Sequence, residues 1–264
     1  MTQKICFIGA GNMGEALLKG LLQTMDAGNI GILEKNKERA ALINQTYKTT
    51  IINNKKELAV YDTCILAIKP QVMESVLQDL SGAINEKTII ISIAAGITIP
   101  GIQTHFPNNK IVRVMPNTPA LINEGISGIS FSNNCNNTDK ETAVKIFEKI
   151  GKTLIVPEAL INSVTAVSGS GPAYFYHLAN VFATNATDIG LNYQDALLLV
   201  CQTMLGASKM MIETQENPAD LITKVKSPGG TTEAGLNILQ SQALSDIIMQ
   251  TLVAAKTRGD ELAT

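Results

Sequence analysis

Ile5-Cys6-Phe7-Ile8-Gly9-Ala10-Gly11-Asn12-Met13-Gly14 runs from a four-residue apolar block straight into three glycines at G-x-G-x-x-G spacing. The demand behind that spacing is steric. Gly9 permits a tight turn, Gly11 lets backbone approach a pyrophosphate, and Gly14 lets the next helix pack on the strand. The N-terminus of that helix then faces the phosphates. Here the motif follows a strand, opens a helix and begins a βαβ unit, which is the context it requires. Glu34 stands at the end of the second strand, twenty positions after Gly14, where an acid binds a ribose hydroxyl. Gly9, Ala10, Gly11, Asn12, Met13, Gly14 and Glu34 are the first candidate cofactor residues. Lys35, Lys37 and Arg39 follow at once. They either neutralise a 2′-phosphate or decorate a solvated helix start, so NADH and NADPH both remain open. Three cations outnumber one acid, which favours NADPH.

Outward from this turn, short Ile- and Val-rich runs alternate with helical patterns. Ile5–Ile8, Ile30–Leu33, Thr63–Ile68, Thr88–Ile93 and Ile111–Met115 read as buried strands without strict alternation. Met13–Thr24 and Gln71–Leu80 read as helices between them. Ile126–Phe131 and Thr153–Val156 are two more strands, around a helix at Asp139–Ile150. The expectation is α/β: a Rossmann-type, right-handed, parallel, doubly wound sheet over residues 1–157. Two loops fall at carboxyl ends of strands, where open sheets of this kind bind ligands. They are Ala67-Ile68-Lys69-Pro70 and Ser92-Ile93-Ala94-Ala95-Gly96.

After Pro157 strand signals vanish. Residues 158–264 are expected to form an all-helical domain. Pro172 suits the start of a helix to about Asp188, Gly190 a stop, Asn192 an N-cap, and Asn217-Pro218 another start. The helix from Tyr193 to about Ile212 is apolar nearly all round. A one-sided surface helix carries a polar face, and roughly a hundred residues of helix are few to bury such a segment alone. A second subunit is the economical cover.

The 264 residues carry a net charge of −2, which gives no basic footprint for nucleic acid. Cys6, Cys64, Cys135 and Cys201 form no C-x-x-C pair, so reduced, buried thiols in a cytosolic protein are expected and no metal site. The first strand begins too early for a signal peptide. The apolar stretch Thr88–Ile102 is broken and short of a bilayer span of roughly 20 residues, so no membrane is expected.

Two glycine-rich turns mark the helical half. Ser168-Gly169-Ser170-Gly171 reads as a flexible turn feeding the helix of Pro172, and Ser227-Pro228-Gly229-Gly230-Thr231-Thr232 repeats the arrangement. Free backbone N–H groups at a helix start form a carboxylate site, and the hydroxyls add donors. The alternative is two capping turns without a ligand. His105 and His177 lie in neither turn and near no evident acid–base partner, so both read as structural or exposed. Alcohol oxidation wants a base such as His or Lys. A protonated imine is already electrophilic, and a hydroxyl hydrogen bond suffices to orient it.

Taken together, Phe7–Gly14, Ile68-Lys69-Pro70-Gln71, Ala94-Ala95-Gly96, Val114-Met115-Pro116-Asn117-Thr118-Pro119, Glu124-Gly125, Ser168–Tyr174 and Ser227–Thr232 resemble the pyrroline-5-carboxylate reductase family over essentially the full length. The resemblance implies hydride transfer from NAD(P)H to the C=N bond of 1-pyrroline-5-carboxylate, giving L-proline, in a homodimer interlocked through its helical domains. It implies that Asn54 and Ala67–Pro70 touch the adenosine half of the cofactor. Ala94 and Ala95 would line the cofactor, and the turn with Met115 and Asn117 would sit by the nicotinamide. It also implies that Thr232 hydrogen-bonds the imine nitrogen. Glu158, Ser168, Gly169, Ser170, Gly171, Ser227, Gly229, Gly230 and Thr231 would surround the substrate. Asn162 departs from the aspartate of many relatives. Two other readings remain. A β-hydroxyacid-type dehydrogenase would need a lysine on the first long helix, and none lies between Pro172 and Leu199. A non-catalytic NAD(P) sensor would have no use for the intact substrate turns.

Overall fold

A computed structural model describes residues 3–263. Eight strands form one sheet: β1 Ile5–Ile8, β2 Ile30–Leu33, β3 Thr50–Ile51, β4 Thr63–Leu66, β5 Ile89–Ser92, β6 Lys110–Met115, β7 Gly125–Phe131 and β8 Gly151–Ile155. Their order is β3-β2-β1-β4-β5-β6-β7-β8. The chain therefore winds outward in both directions from the β1/β4 seam, and the crevice above that seam is the place where open α/β sheets hold ligands.

β-branched side chains pack well on a pleat buried on both faces. All four residues of β1, β4 and β5 are accordingly buried. Successive side chains point to opposite faces, and the two faces carry separate cores. Ile5, Phe7, Ile32, Ile65, Ile91 and Val112 join Leu17 and Leu18 of helix α1 (Asn12–Leu21) and Phe147 of α5 (Asn137–Phe147). Cys6, Ile8, Cys64, Leu66 and Ile90 join Leu77 and Leu80 of α3 (Met73–Leu80) and Ile102 of α4 (Ile99–Gln103). Between α1 and α3 lies α2 (Lys37–Tyr47).

The sheet is not parallel throughout, which corrects the expectation. β6 and β7 pair antiparallel, with Val112 opposite Phe131, and β7–β8 is parallel again. Residues 116–124 join β6 to β7 through a 3-10 turn, Thr118–Ile122, that ends at Asn123 with φ 62°. A parallel return needs a crossover of a dozen residues or more, and this link is too short for one. β3, two residues long, is too brief to leave a periodic signal and was not foreseen.

Beyond β8 come α6 (Ile161–Val164), a π-helical turn at Thr165–Gly169, α7 (Gly171–Asn185), α8 (Tyr193–Thr214), α9 (Pro218–Val225), α10 (Thr231–Ser241) and α11 (Leu244–Glu261). The chain divides into two compact units. One holds the chain up to Ser170 and from Ala255 on, and the other is Gly171–Ala254. In the second unit the punctuation follows its chemistry. Gly190 takes φ 98°, a left-handed stop that suits glycine. Asn192 and Asn217 accept from the N–H groups of Asp195 and Ala219. α7 packs on α8, yet Leu198 and Ile212 of α8 stay 69% and 70% exposed. All four cysteines are free; Cys6, Cys64 and Cys135 are buried, but Cys201, on α8, is exposed in the single chain.

Candidate functional site

The glycine turn sits on the β1/β4 seam, and each glycine has a different reason. Gly9 takes φ 88°, and a Cβ there would come within 2.8 Å of the Ala67 carbonyl oxygen. At Gly14 a Cβ would lie 3.1 Å from that of Ala67, so α1 closes on the strand layer as the spacing implied. Gly11 is unlike both. Its φ of −68° suits any residue, and a Cβ there would meet nothing within 4 Å. Nothing within the protein requires glycine at that point. Gly11 is also the N-cap of α1 with no side chain capping the helix, so the first-turn N–H groups are left for an outside acceptor. The adjoining cleft is about 560 Å³ and is lined by Gly9, Ala10, Gly11, Glu34, Lys35, Ala67, Ile68 and Lys69 among others. Its size and its mixture of apolar wall and few polar groups suit a nucleotide.

Glu34 is engaged with the turn itself. Oε2 accepts from the Ala10 N–H at 2.8 Å and Oε1 from the Asn36 N–H at 2.9 Å. Arg39 holds the other side of Ala10. Its Nε donates to the Ala10 carbonyl oxygen at 2.8 Å and its Nη2 to Glu15 Oε2 at 2.5 Å. Tyr47 Oη donates to Glu15 Oε1 at 2.6 Å. The Tyr47 hydroxyl and the Arg39 guanidinium hold the Glu15 carboxyl below its ordinary value. Burial, together with the Glu15 carboxylate, pushes Tyr47 up to about 12. Lys35 and Lys69 line the cleft with no ion-pair partner among the described residues. Asn54 lies outside that lining. Its side chain accepts from Lys56 N–H, capping a 3-10 turn at Lys55–Val60.

A second group of expected residues gathers at the carboxyl end of β6. Asn117 Nδ2 donates to the Ser168 carbonyl oxygen at 3.2 Å, and Asn117 Oδ1 accepts from Ile126 N–H at 3.0 Å. A Cβ on Gly169 would lie 2.8 Å from the Met115 methyl carbon, so the two segments touch. The segment 168–171 is hydrogen-bonded helical structure rather than an open turn. Thr165–Gly169 is a π-helical turn following α6, Ser170 N–H donates to the Thr165 carbonyl oxygen at 2.8 Å, and the Ser168 hydroxyl donates to that of Val164. The N–H of Ser170 is therefore no free anion donor.

Glu158 Oε1 accepts from Ile99 N–H at 2.6 Å and stands 3.4 Å from Arg113 Nη1. Arg113 was not singled out in sequence. It is 3% exposed; burial pulls its pKa down, and the Glu158 carboxylate opposes that. The available signal was one charge inside the apolar run Ile111–Met115, since a buried charge is paired. His105 does have an acid partner: its Nε2 lies 3.2 Å from Glu74 Oε2. A separation of 31 residues hides that pairing in sequence.

The turn Ser227–Thr232 lies in the helical unit. Gly229 takes φ 68°. Its N–H donates to Glu233 Oε2 at 2.8 Å, and the Gly230 N–H donates to the Ser227 carbonyl oxygen at 3.0 Å. Gly230 is the N-cap of α10, again with no side chain capping the helix. The donors left to a ligand are the N–H groups of Thr231, Thr232 and Glu233. The hydroxyls of Ser227, Thr231 and Thr232 have no partner among the described residues. Thr232 also borders an apolar hollow with Met210, Met211, Leu221, Ile222 and Leu236.

Residues 158–262 match the family model for pyrroline-5-carboxylate reductase dimerisation, and residues 4–96 match that for NADP oxidoreductase, coenzyme F420-dependent. A pyrroline-5-carboxylate reductase of Pseudomonas aeruginosa is 37% identical over 266 aligned residues, covering 99% of this chain and 97% of that protein. The structure of a pyrroline-5-carboxylate reductase from Coxiella burnetii superposes with a TM-score of 0.95 at 32% identity, over 100% of both chains. That of a Plasmodium falciparum pyrroline carboxylate reductase with NADP bound gives 0.87 at 29% identity, over 99% of this chain and 98% of that one.

Proposed function

The chain belongs to the pyrroline-5-carboxylate reductase family, and on that premise we propose that it reduces the C=N bond of 1-pyrroline-5-carboxylate to L-proline with a reduced pyridine nucleotide. The observation that carries this reading is Gly11. It is a glycine that neither φ nor packing demands, at an uncapped helix start above the β1/β4 seam. Such a site fits a pyrophosphate.

When bound, the nicotinamide supplies the hydride. The rest is the work of the chain. The first-turn N–H groups of α1 hold the pyrophosphate. Glu34 and Arg39 keep the turn in shape by binding both backbone groups of Ala10. Arg39 is engaged with Ala10 and Glu15, and Glu34 already accepts one backbone N–H on each oxygen. Lys35, on the cleft wall, is the group that meets a 2′-phosphate, so the preferred cofactor is NADPH. Asn54 and Ala67–Pro70 face the adenosine half, and Ala94, Ala95, Met115 and Asn117 the nicotinamide half.

On the substrate side, the uncapped start of α10 takes the carboxylate through Thr231 and Thr232 N–H. Thr232 Oγ1 accepts from the protonated imine nitrogen and stays with that proton as the nitrogen becomes an amine. Ser168–Gly171, Ser227, Gly229, Gly230 and Glu158 are the further residues assigned to the substrate. Residues 158–264 carry both substrate turns and the face that meets a second copy of the chain. Free cysteines throughout fit a reducing, cytosolic setting.

The test is oxidation of NADPH and of NADH, in parallel, by the purified protein with 1-pyrroline-5-carboxylate. Turnover with proline as product is expected, faster with NADPH at equal low concentration. Folded protein that oxidises neither cofactor overturns the reading.

A further inference from the structure

The proposed reaction does not use Asn162 or Asp260, and the structure joins them in one chain of polar contacts with Arg113. Arg113 Nη2 donates to Asn162 Oδ1 at 3.1 Å. Asn162 Nδ2 donates to Asp260 Oδ1 at 2.8 Å, and Lys256 Nζ donates to Asp260 Oδ2 at 2.6 Å. Gly259 closes on the same spot: a Cβ there would lie 3.4 Å from Asn162 Cβ. The last turn of α11 is thus pinned to the buried Arg113.

Two residues beyond Asp260 the chain reaches the loop Ala94-Ala95-Gly96. Gly96 takes φ 78°, and a Cβ there would come 2.5 Å from the Leu262 carbonyl oxygen. Backbone therefore meets backbone, with no side chain between to absorb a shift. The same guanidinium reaches the far side of this loop through Glu158, which holds Ile99 N–H.

The chemistry at position 162 is specific. The residue must accept from Arg113 and donate to Asp260 at once. An amide does both, whereas a carboxylate only accepts and would oppose Asp260.

We propose that Asn162 and Asp260 are positioning residues that latch the end of α11, so that Leu262 fixes the Ala94-Ala95-Gly96 loop and with it the affinity for the dinucleotide. The proposal rests on the reading that this loop lines the cofactor. In Asn162→Asp the donor to Asp260 is lost and two carboxylates face each other. The KM for NADPH should rise about tenfold, the effect of losing one hydrogen bond to a charged group. The KM for 1-pyrroline-5-carboxylate and kcat should stay within about twofold. The double variant Asn162→Asp/Asp260→Asn restores the bond with its direction reversed, because the new amide donates to the new carboxylate. It should return the KM for NADPH to within about twofold of the original. A single variant with unchanged KM for NADPH, or a double variant that does not recover, overturns the latch. A loss spread equally over both substrates also overturns it, because that is what a merely structural role would give. A separate arm, Ala95→Leu at an exposed position, isolates the premise. Weakened NADPH binding there, with Asn162→Asp silent, sinks the latch alone. Unchanged binding in Ala95→Leu sinks the placement of the loop, and the latch with it.

Discussion

In the sheet unit every residue of β1, β4 and β5 is buried, while α8 buries only Ala196 and α9, α10 and α11 bury none. Both units are rich in aliphatic side chains. The first covers its central strands with its own helices and leaves Leu154 and Ile155 of the edge strand β8 exposed. The second leaves Leu198, Met210, Ile212, Ile238 and Met249 at least half exposed, more bare apolar surface than one helical unit of this size needs for itself. The contrast teaches that the sheet unit builds its own core as a single chain and the helical unit is half of something. α8, at 22 residues, is long and apolar enough to cross a bilayer on length and composition alone. Its place inside the dimerisation match favours a second copy as its cover.

The strongest way to break the contrast is to charge the open face. Leu198→Glu together with Met210→Glu should abolish turnover and leave a monomer near 28.2 kDa by light scattering, against at least twice that mass for the natural chain. An active monomer would mean that the helical unit is self-sufficient. Gly11→Val attacks the sheet unit instead. A Cβ there meets no protein atom within 4 Å, so the melting temperature should hold while dinucleotide titration shows no binding. Retained affinity would remove the assigned role of the turn. Thr232→Val keeps shape and removes one hydroxyl. A hydrogen bond to a charged group contributes about 1.5–3 kcal/mol, so kcat/KM for 1-pyrroline-5-carboxylate should fall roughly ten- to a hundredfold. Cofactor affinity should not move, and Thr231→Val should do less. Near-normal kcat/KM would reduce Thr232 to part of a helix start. The smallest effect belongs to the clamp and its neighbour. Glu34→Gln should weaken NADPH and NADH by the same factor, because it loosens Ala10 rather than a ribose contact. Lys35→Ala should cost NADPH alone about fivefold, a loss that fades in high salt. A loss confined to NADH in Glu34→Gln would return that carboxylate to the ribose.

The same contrast explains what the sequence could disclose. Strands buried on both faces, such as β1, β4 and β5, write their identity locally, and β2, β6, β7 and the exposed edge strand β8 are visible as aliphatic runs too. Asn192, Gly190 and Asn217-Pro218 act within a turn of themselves and are equally plain. The reversal of β7 was hidden because it depends on the length of a link, not on the strand's own residues. The clamp on Ala10 was hidden because Glu34 and Arg39 are 24 and 29 positions away from it. A carboxylate after β2 reads the same whether it holds a ribose or a backbone N–H. Ser168–Gly171 misled for a related reason. Glycine and serine are the residues of a loose turn, and here Gly169 serves close packing against Met115.

The π-helical turn at Thr165–Gly169 has a consequence for how this architecture arose. Such a turn is an α-helix carrying one residue more than its hydrogen bonds want, and wide turns of this kind gather where proteins act. Removing one residue from 165–169 would let the ladder close in ordinary α register. The shortened chain should melt at a higher temperature and turn over nothing, because Ser168 and Gly169 would swing away from Asn117 and Met115. Lineages can gain such a residue only where the remainder of the fold has stability to spare. In this molecule that reserve lies in the buried centre of the sheet, and the extra residue sits at its border.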